Sequence, residues 1–227
     1  MSVFGFSTEP SAGGDFLPIL KYDARAGRIF RVDRIEDAGS FSSDPIDITQ
    51  TFKAIFDFEN LEVGWVNFAP GMAPDARLVP MGQALPERPS PQHKNGVRVM
   101  VKLAKECADG QAPIRELMGT SKAMLGGLEE AYLFYQNAAK QNPGKLPVLT
   151  LTKTVPITTG TGAKSSTNYK PIFKIVGWVA RGDLAPQPRG AAPAQAQTNG
   201  GGRQQTPPAT GASRATAPAE VSADDFG

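Results

Sequence analysis

The stretch NYKPIFKIVGWVAR (168–181) sets Lys170, Lys174 and Trp178 at intervals of four residues. Side chains alternate between faces in an extended chain, so Lys170, Ile172, Lys174, Val176 and Trp178 are expected on one face. Tyr169, Pro171, Phe173, Ile175 and Val179 are expected on the other. Lysine neutralises phosphate with release of counterions, and an indole offers a ring on which a base can stack, neither contact depending on base sequence. The same residue types recur elsewhere: Trp65 and Phe68 in LEVGWVNFA, Arg98 and Lys102 in VRVMVKLA, Lys153 in LPVLTLTKTVPI, Arg77, Arg88 and Lys94 in a Pro-rich stretch, and Lys164 in TTGTGAKSSTN. Taken singly, each lysine is more often a solvated strand position and each aromatic more often a core residue. Their coincidence points to a single-stranded polyanion.

Charge distribution agrees. The net charge is only +2, but residues 1–63 carry 6 Lys and Arg against 11 Asp and Glu, residues 64–185 carry 15 against 8, and residues 186–227 carry 3 of each. A locally basic body attracts polyanions regardless of the total.

Other chemistries find less support. One cysteine, Cys107, and one histidine, His93, preclude a disulfide framework and a Cys/His zinc cluster, and fit a reducing, cytoplasmic compartment. His93 sits in a Pro-rich loop, and Cys107 has no base near it in sequence. The run ending in Lys164-Ser165 resembles a phosphate loop, but Ala163 stands where glycine must precede the lysine, and a strand follows where a helix is required. Asp57, Glu59 and Glu62 are the acidic residues a Mg²⁺-dependent nuclease would draw on. No enzyme activity, metal or cofactor is expected. The N-terminus lacks a basic and an apolar region, and no stretch has the ~18 uninterrupted apolar residues of a membrane span, so no membrane partner is expected.

The elements that must position these residues follow from period and punctuation. FKAIFDFEN (52–60) and LEVGWVNFA (61–69) read as strands with a turn or bulge between them, VRVMVKLA (97–104) as a third, and LPVLTLTKTVPI (146–157) and NYKPIFKIVGWVAR (168–181) as two more. Residues 69–96 form a long Pro-rich loop with a short strand at Arg77 to Met81. A short helical piece is expected near Ile114 to Met118. A longer helix follows in SKAMLGGLEEAYLFYQNAAKQ, with Met124, Leu128, Ala131, Tyr135 and Ala138 on its apolar face. FLPILKY and RIFRVDRI add N-terminal strands. The expected class is mainly β with one helical region (α+β): three strands, helix, two strands is the order of a five-stranded OB-fold barrel. Other small β-barrels and an α+β sandwich stay open.

The domain boundary lies near residue 185. Residues 186–219 are rich in Pro, Gly, Ala, Gln and Thr and cannot bury enough apolar area to offset chain entropy, so they are expected to be a disordered linker. The chain then ends in EVSADDFG (220–227), an acidic-aromatic tail.

An OB-like basic body, a Gly/Pro/Gln-rich linker and a terminus with Asp224-Asp225-Phe226 together resemble single-stranded DNA-binding proteins, bacterial and bacteriophage-type. The resemblance implies sequence-independent coating of single strands in phage DNA replication, recombination or repair. It also implies recruitment of replication or recombination proteins, with Asp224 and Asp225 pairing with basic side chains and Phe226 filling an apolar pocket. In that family the phenylalanine is terminal, whereas here Gly227 follows it, and this departure together with the 69–96 excursion favours the phage type. The family spans monomers to tetramers, so homo-oligomerisation is left open. Two rival readings are a protein-interaction adaptor without DNA binding and a metal-dependent nuclease.

Overall fold

Residues 52–67 form one extended line broken in the middle. In the computed structural model, which describes residues 17–37, 40–70, 72–186 and 225–226, strands β4 (Lys53–Phe56) and β5 (Glu62–Asn67) both run antiparallel to β7 (Lys94–Leu103). Phe56 lies opposite Val101 and Glu62 opposite Arg98, so the direction continues across residues 57–61. The expected turn or bulge is therefore a bulge built on a 3-10 turn at Phe58–Asn60. Asp57, fully buried within it, accepts two hydrogen bonds from Arg181, at 2.7 and 2.9 Å.

Preceding and surrounding this line are β1 (Ile19–Asp23), β2 (Arg28–Asp37), β3 (Ser40–Asp47) and β6 (Asp75–Pro80). After β7 come α1 (Lys105–Ala108), β8 (Ile114–Gly119), α2 (Lys122–Ala139), β9 (Lys145–Thr159) and β10 (Ser166–Ala180). The ten strands make one mixed sheet in the order β10-β9-β4-β7-β8-β1-β2-β3, with β5 paired to β7 and β6 paired to β5. Every pairing is antiparallel except β1 with β8. The far edge curls back: Tyr169 N–H of β10 donates to Ala24 O at 2.7 Å, and Tyr22 Oη of β1 donates to Tyr169 O at 2.7 Å. Gly27 permits the approach, because its φ of +66° suits glycine and a Cβ there would stand 2.9 Å from Tyr169 Cβ.

The core lies between the sheet and α2. Phe52, Phe56 and Phe173 pack ring to ring, and Phe58 reaches Tyr132 and Tyr135 of the helix. Met124, Leu128, Ala131 and Tyr135 are buried, as the helical spacing predicts. A Cβ at Gly127 would meet Pro171 O at 2.4 Å, so glycine sets the distance of closest approach between α2 and β10. Among the described residues no helix is long and apolar enough to cross a membrane.

Two expectations are corrected. Residues 114–118 are not helical: they are β8, paired on one side with β7 and on the other with β1. Its adjacent Arg115 and Glu116 are each 1% exposed, held by partners distant in sequence. A buried charged pair mimics a solvated helix turn when only local pattern is visible. Second, β10 does not keep one alternating face throughout: its register with β9 skips Thr152 of β9 opposite Ile172–Phe173, and a bulge at Val176 then interrupts the alternation of β10 itself between Lys174 and Trp178.

Candidate nucleic-acid interface

The Pro-rich stretch is an organised wing. β6 pairs with β5, placing Arg77 directly opposite Trp65 on one face and Asn95 of β7 on Trp65's other side. The half-buried indole donates from Nε1 to Pro86 O at 2.8 Å, and the Arg88 guanidinium lies 5.4 Å from the ring. Arg88 also donates to His93 O and Pro91 O, which folds the loop back on itself. Phe68, half exposed, stands at the end of β5, and Lys94 is exposed at the start of β7. Five of the residues expected to contact nucleic acid, Trp65, Phe68, Arg77, Arg88 and Lys94, thus gather on this wing.

His93 is buried at the wing's base, with Nδ1 2.8 Å from Ser90 Oγ and Nε2 3.3 Å from Asp75 Oδ2. Serine, histidine and carboxylate form the residue set of a nucleophilic triad. Here, however, Ser90 and His93 belong to one tight turn, closed by His93 N–H donating to Ser90 O. The turn thereby sets the imidazole beside Asp75 of β6.

The remaining sequence candidates separate by environment. Lys153 and Lys174, exposed on β9 and β10, take part in no ion pair among the described residues. Lys102 is paired with Asp183 at 2.8 Å, and Lys170 with Glu130 of α2 at 2.6 Å. Lys164 lies in a 3-10 turn at Gly162–Lys164 between β9 and β10. Arg98 is only 5% exposed, gripped by Glu116 at 2.7 Å and Glu62 at 2.6 Å, so it is not presented to solvent as expected. Trp178 packs on α2, stacked on Tyr135 with centroids 5.9 Å apart, and belongs to the core margin.

The C-terminal residues meet the body. Asp224 lies outside the described residues, but the Asp225 carboxylate pairs with Lys53 of β4, whose ammonium is 5.9 Å from the Phe226 ring centroid. Phe226 is 6% exposed and joins the main apolar core. Lys53 faces Thr150 of β9, which faces Lys174 of β10, so the tail docks at the end of a cross-strand row carrying two lysines. Upstream, Leu184 is fully buried, and Arg181, tied to Asp57 and Glu59, donates to Leu184 O. These carboxylates hold the Arg181 guanidinium well above its ordinary proton affinity, while Lys102 holds the Asp183 carboxyl below its ordinary range.

Sequence reasoning did not single out Lys53, Leu184 or Arg181. Lys53 had one available signal, its position at the head of the FKAIF strand; its tail partner is 172 residues away, which no local pattern can report. Comparison of the chain with family models, with curated proteins and with solved structures finds no match in any of the three.

Proposed function

We propose that the protein binds single-stranded DNA without reading its sequence and recruits partner proteins through its acidic-aromatic terminus. The observation that carries this is the wing: an indole flanked by Arg88 and Arg77 on a projecting hairpin, with Lys94 and an exposed Phe68 nearby. Such a surface supplies base stacking and phosphate neutralisation together.

Strand connectivity supports an OB-like core within the larger sheet. The line β4–β5 pairs with β7, β7 with β8, α2 follows, β9 returns to β4, and β10 pairs with β9. In this reading β1 is inserted between β8 and β10, and the Tyr169–Ala24 and Tyr22–Tyr169 bonds serve as closure. The wing then takes the position of the loop after the first OB strand, and residues 160–165 that of the loop joining the last two, the two loops with which OB-folds hold oligonucleotides. Phage origin and a role in replication or recombination rest on the resemblance of the whole-chain arrangement.

Fluorescence anisotropy of a labelled oligo-dT, with matched duplex as competitor across a salt series, tests the reading. Preference for the single strand and steep weakening with salt are expected; no binding at low salt would refute it. The adaptor reading draws on Leu133 and Phe134, 53% and 64% exposed on α2, and predicts protein capture without oligonucleotide binding.

A further inference from the structure

On the β1–β2–β3 side of the sheet, a cleft of about 500 Å³ is walled by Leu17, Ile19 and Val32, with the exposed Ser43 and Gln111 at its edge and both Arg115 and its partner Asp33 among its lining residues. Arg115 is 1% exposed. Its Nη1 donates to Val32 O at 2.9 Å, and its Nη2 to Asp33 Oδ1 at 2.7 Å. Its Nε–H, buried, has no hydrogen-bond partner. A buried donor left unpaired is costly, and native interiors seldom keep one without a reason.

Charge count points the same way. The second oxygen of Asp33 is taken by Arg31 Nε at 2.8 Å, so two guanidiniums, each at most 6% exposed in its side chain, share one carboxylate. Arg31 spends its Nη1 on Cys107 O and Ala108 O. Its other acidic neighbour, Asp109, is 3.8 Å away and 83% exposed, where water screens it. The two guanidiniums therefore share a single largely buried carboxylate beside the cleft, their further acidic neighbours being the exposed Asp109 and Asp44, which stands opposite Asp33 on β3. Burial is the main influence lowering the proton affinity of Arg115, Asp33 opposes it, and Arg31 adds to the lowering.

We propose that this cleft is a binding site for a small organic monoanion, a carboxylate carried on an apolar body. The carboxylate accepts from Arg115 Nε–H and from the Ser43 hydroxyl or Gln111 amide at the rim, and the apolar body lies along Leu17, Ile19 and Val32. A carboxylate meets the unpaired Arg115 donor beside two guanidiniums that share one largely buried acid, and an apolar tail matches the walls. The site is distinct from the wing, being built on β1, β2, β3, β8 and the loop after α1.

The test uses the full chain with phenylacetate and hexanoate as probes and their neutral amides as controls, followed by isothermal titration and by the arginine Nε–Hε resonances, that of Arg115 being assigned as the one missing from R115K. Saturable binding of the carboxylates, at least tenfold tighter than the amides and with a shift of the Arg115 resonance, is expected. Ala112→Trp is the second variant, which keeps the test open should R115K not fold: Ala112 is an exposed lining residue, and an indole there should occlude the cleft and cut carboxylate affinity tenfold or more while leaving oligo-dT affinity unchanged. Equal affinity for acid and amide, undiminished binding by Ala112→Trp, or no binding at millimolar probe would overturn the proposal. So would displacement of the probe by oligo-dT, which would make the cleft part of a DNA track.

Discussion

Replacing Phe226 with alanine asks whether the terminus is held by the body in solution. The ring is 6% exposed and joins the apolar core. Burying a phenylalanine contributes roughly 1.5–3 kcal/mol, and an ammonium near the ring adds about 0.5–1 kcal/mol. The Lys53–Asp225 pair, partly exposed on both sides, contributes no more than about 1 kcal/mol and survives the substitution at best weakly. Residues 225–226 can leave while the sheet stays folded, so the loss is capped at the docking free energy and falls short of the ~3–5 kcal/mol of a Phe→Ala change in a closed core. Urea unfolding followed by circular dichroism should therefore show Phe226→Ala less stable by roughly 1.5–3 kcal/mol with an unchanged slope, and deletion of residues 219–227 should cost at least as much. A change below about 0.5 kcal/mol, the scale of an ordinary surface substitution, would refute the docked terminus. A loss larger than that of the deletion would refute the cap.

Three further outcomes are expected. Trp65→Ala should weaken oligo-dT binding by roughly 1–3 kcal/mol with the fold intact, whereas Trp178→Ala should lower the unfolding midpoint, since its ring stacks on Tyr135; anisotropy and urea unfolding of both variants separate the roles, and the opposite assignment would move the interface to α2. Deleting residues 219–227 should leave oligo-dT affinity the same or tighter at low salt, because the Asp225 carboxylate no longer occupies Lys53; a large loss of affinity would contradict it. The Asp47 carboxyl is held below its ordinary range, first by the Thr49 hydroxyl, then by the Thr49 backbone N–H and Arg28. A depressed folded-state value stabilises above the unfolded value and is lost as pH falls through the folded one, so Asp47→Asn should flatten the decline in stability below about pH 4, as read by urea midpoints across an acid series.

The sequence by itself determined the strand-rich class, the helix at 122–139 and its buried face, the strand inside the Pro-rich stretch, and the basic body. Each rests on a local signal: period, turn chemistry or composition acting within a few residues. It also drew attention to the two tryptophans, but only tertiary packing decided that Trp65 flanks Arg88 on the wing while Trp178 lies under α2. The bulge at Val176 that breaks the alternation of β10, and the partners of Arg98 and Arg115, depend on which strands become neighbours, a choice made by pairing and burial across the whole sheet. Read locally, Arg115-Glu116 resembles a solvated turn; placed between β7 and β1, its two side chains enter separate buried ion networks, because a charge withdrawn from water must find an opposite one wherever the fold brings it. The meeting of Asp225-Phe226 with Lys53 is of the same kind: the residue types were legible at the end of the chain, and the surface that receives them existed only once β4, β9 and β10 were assembled.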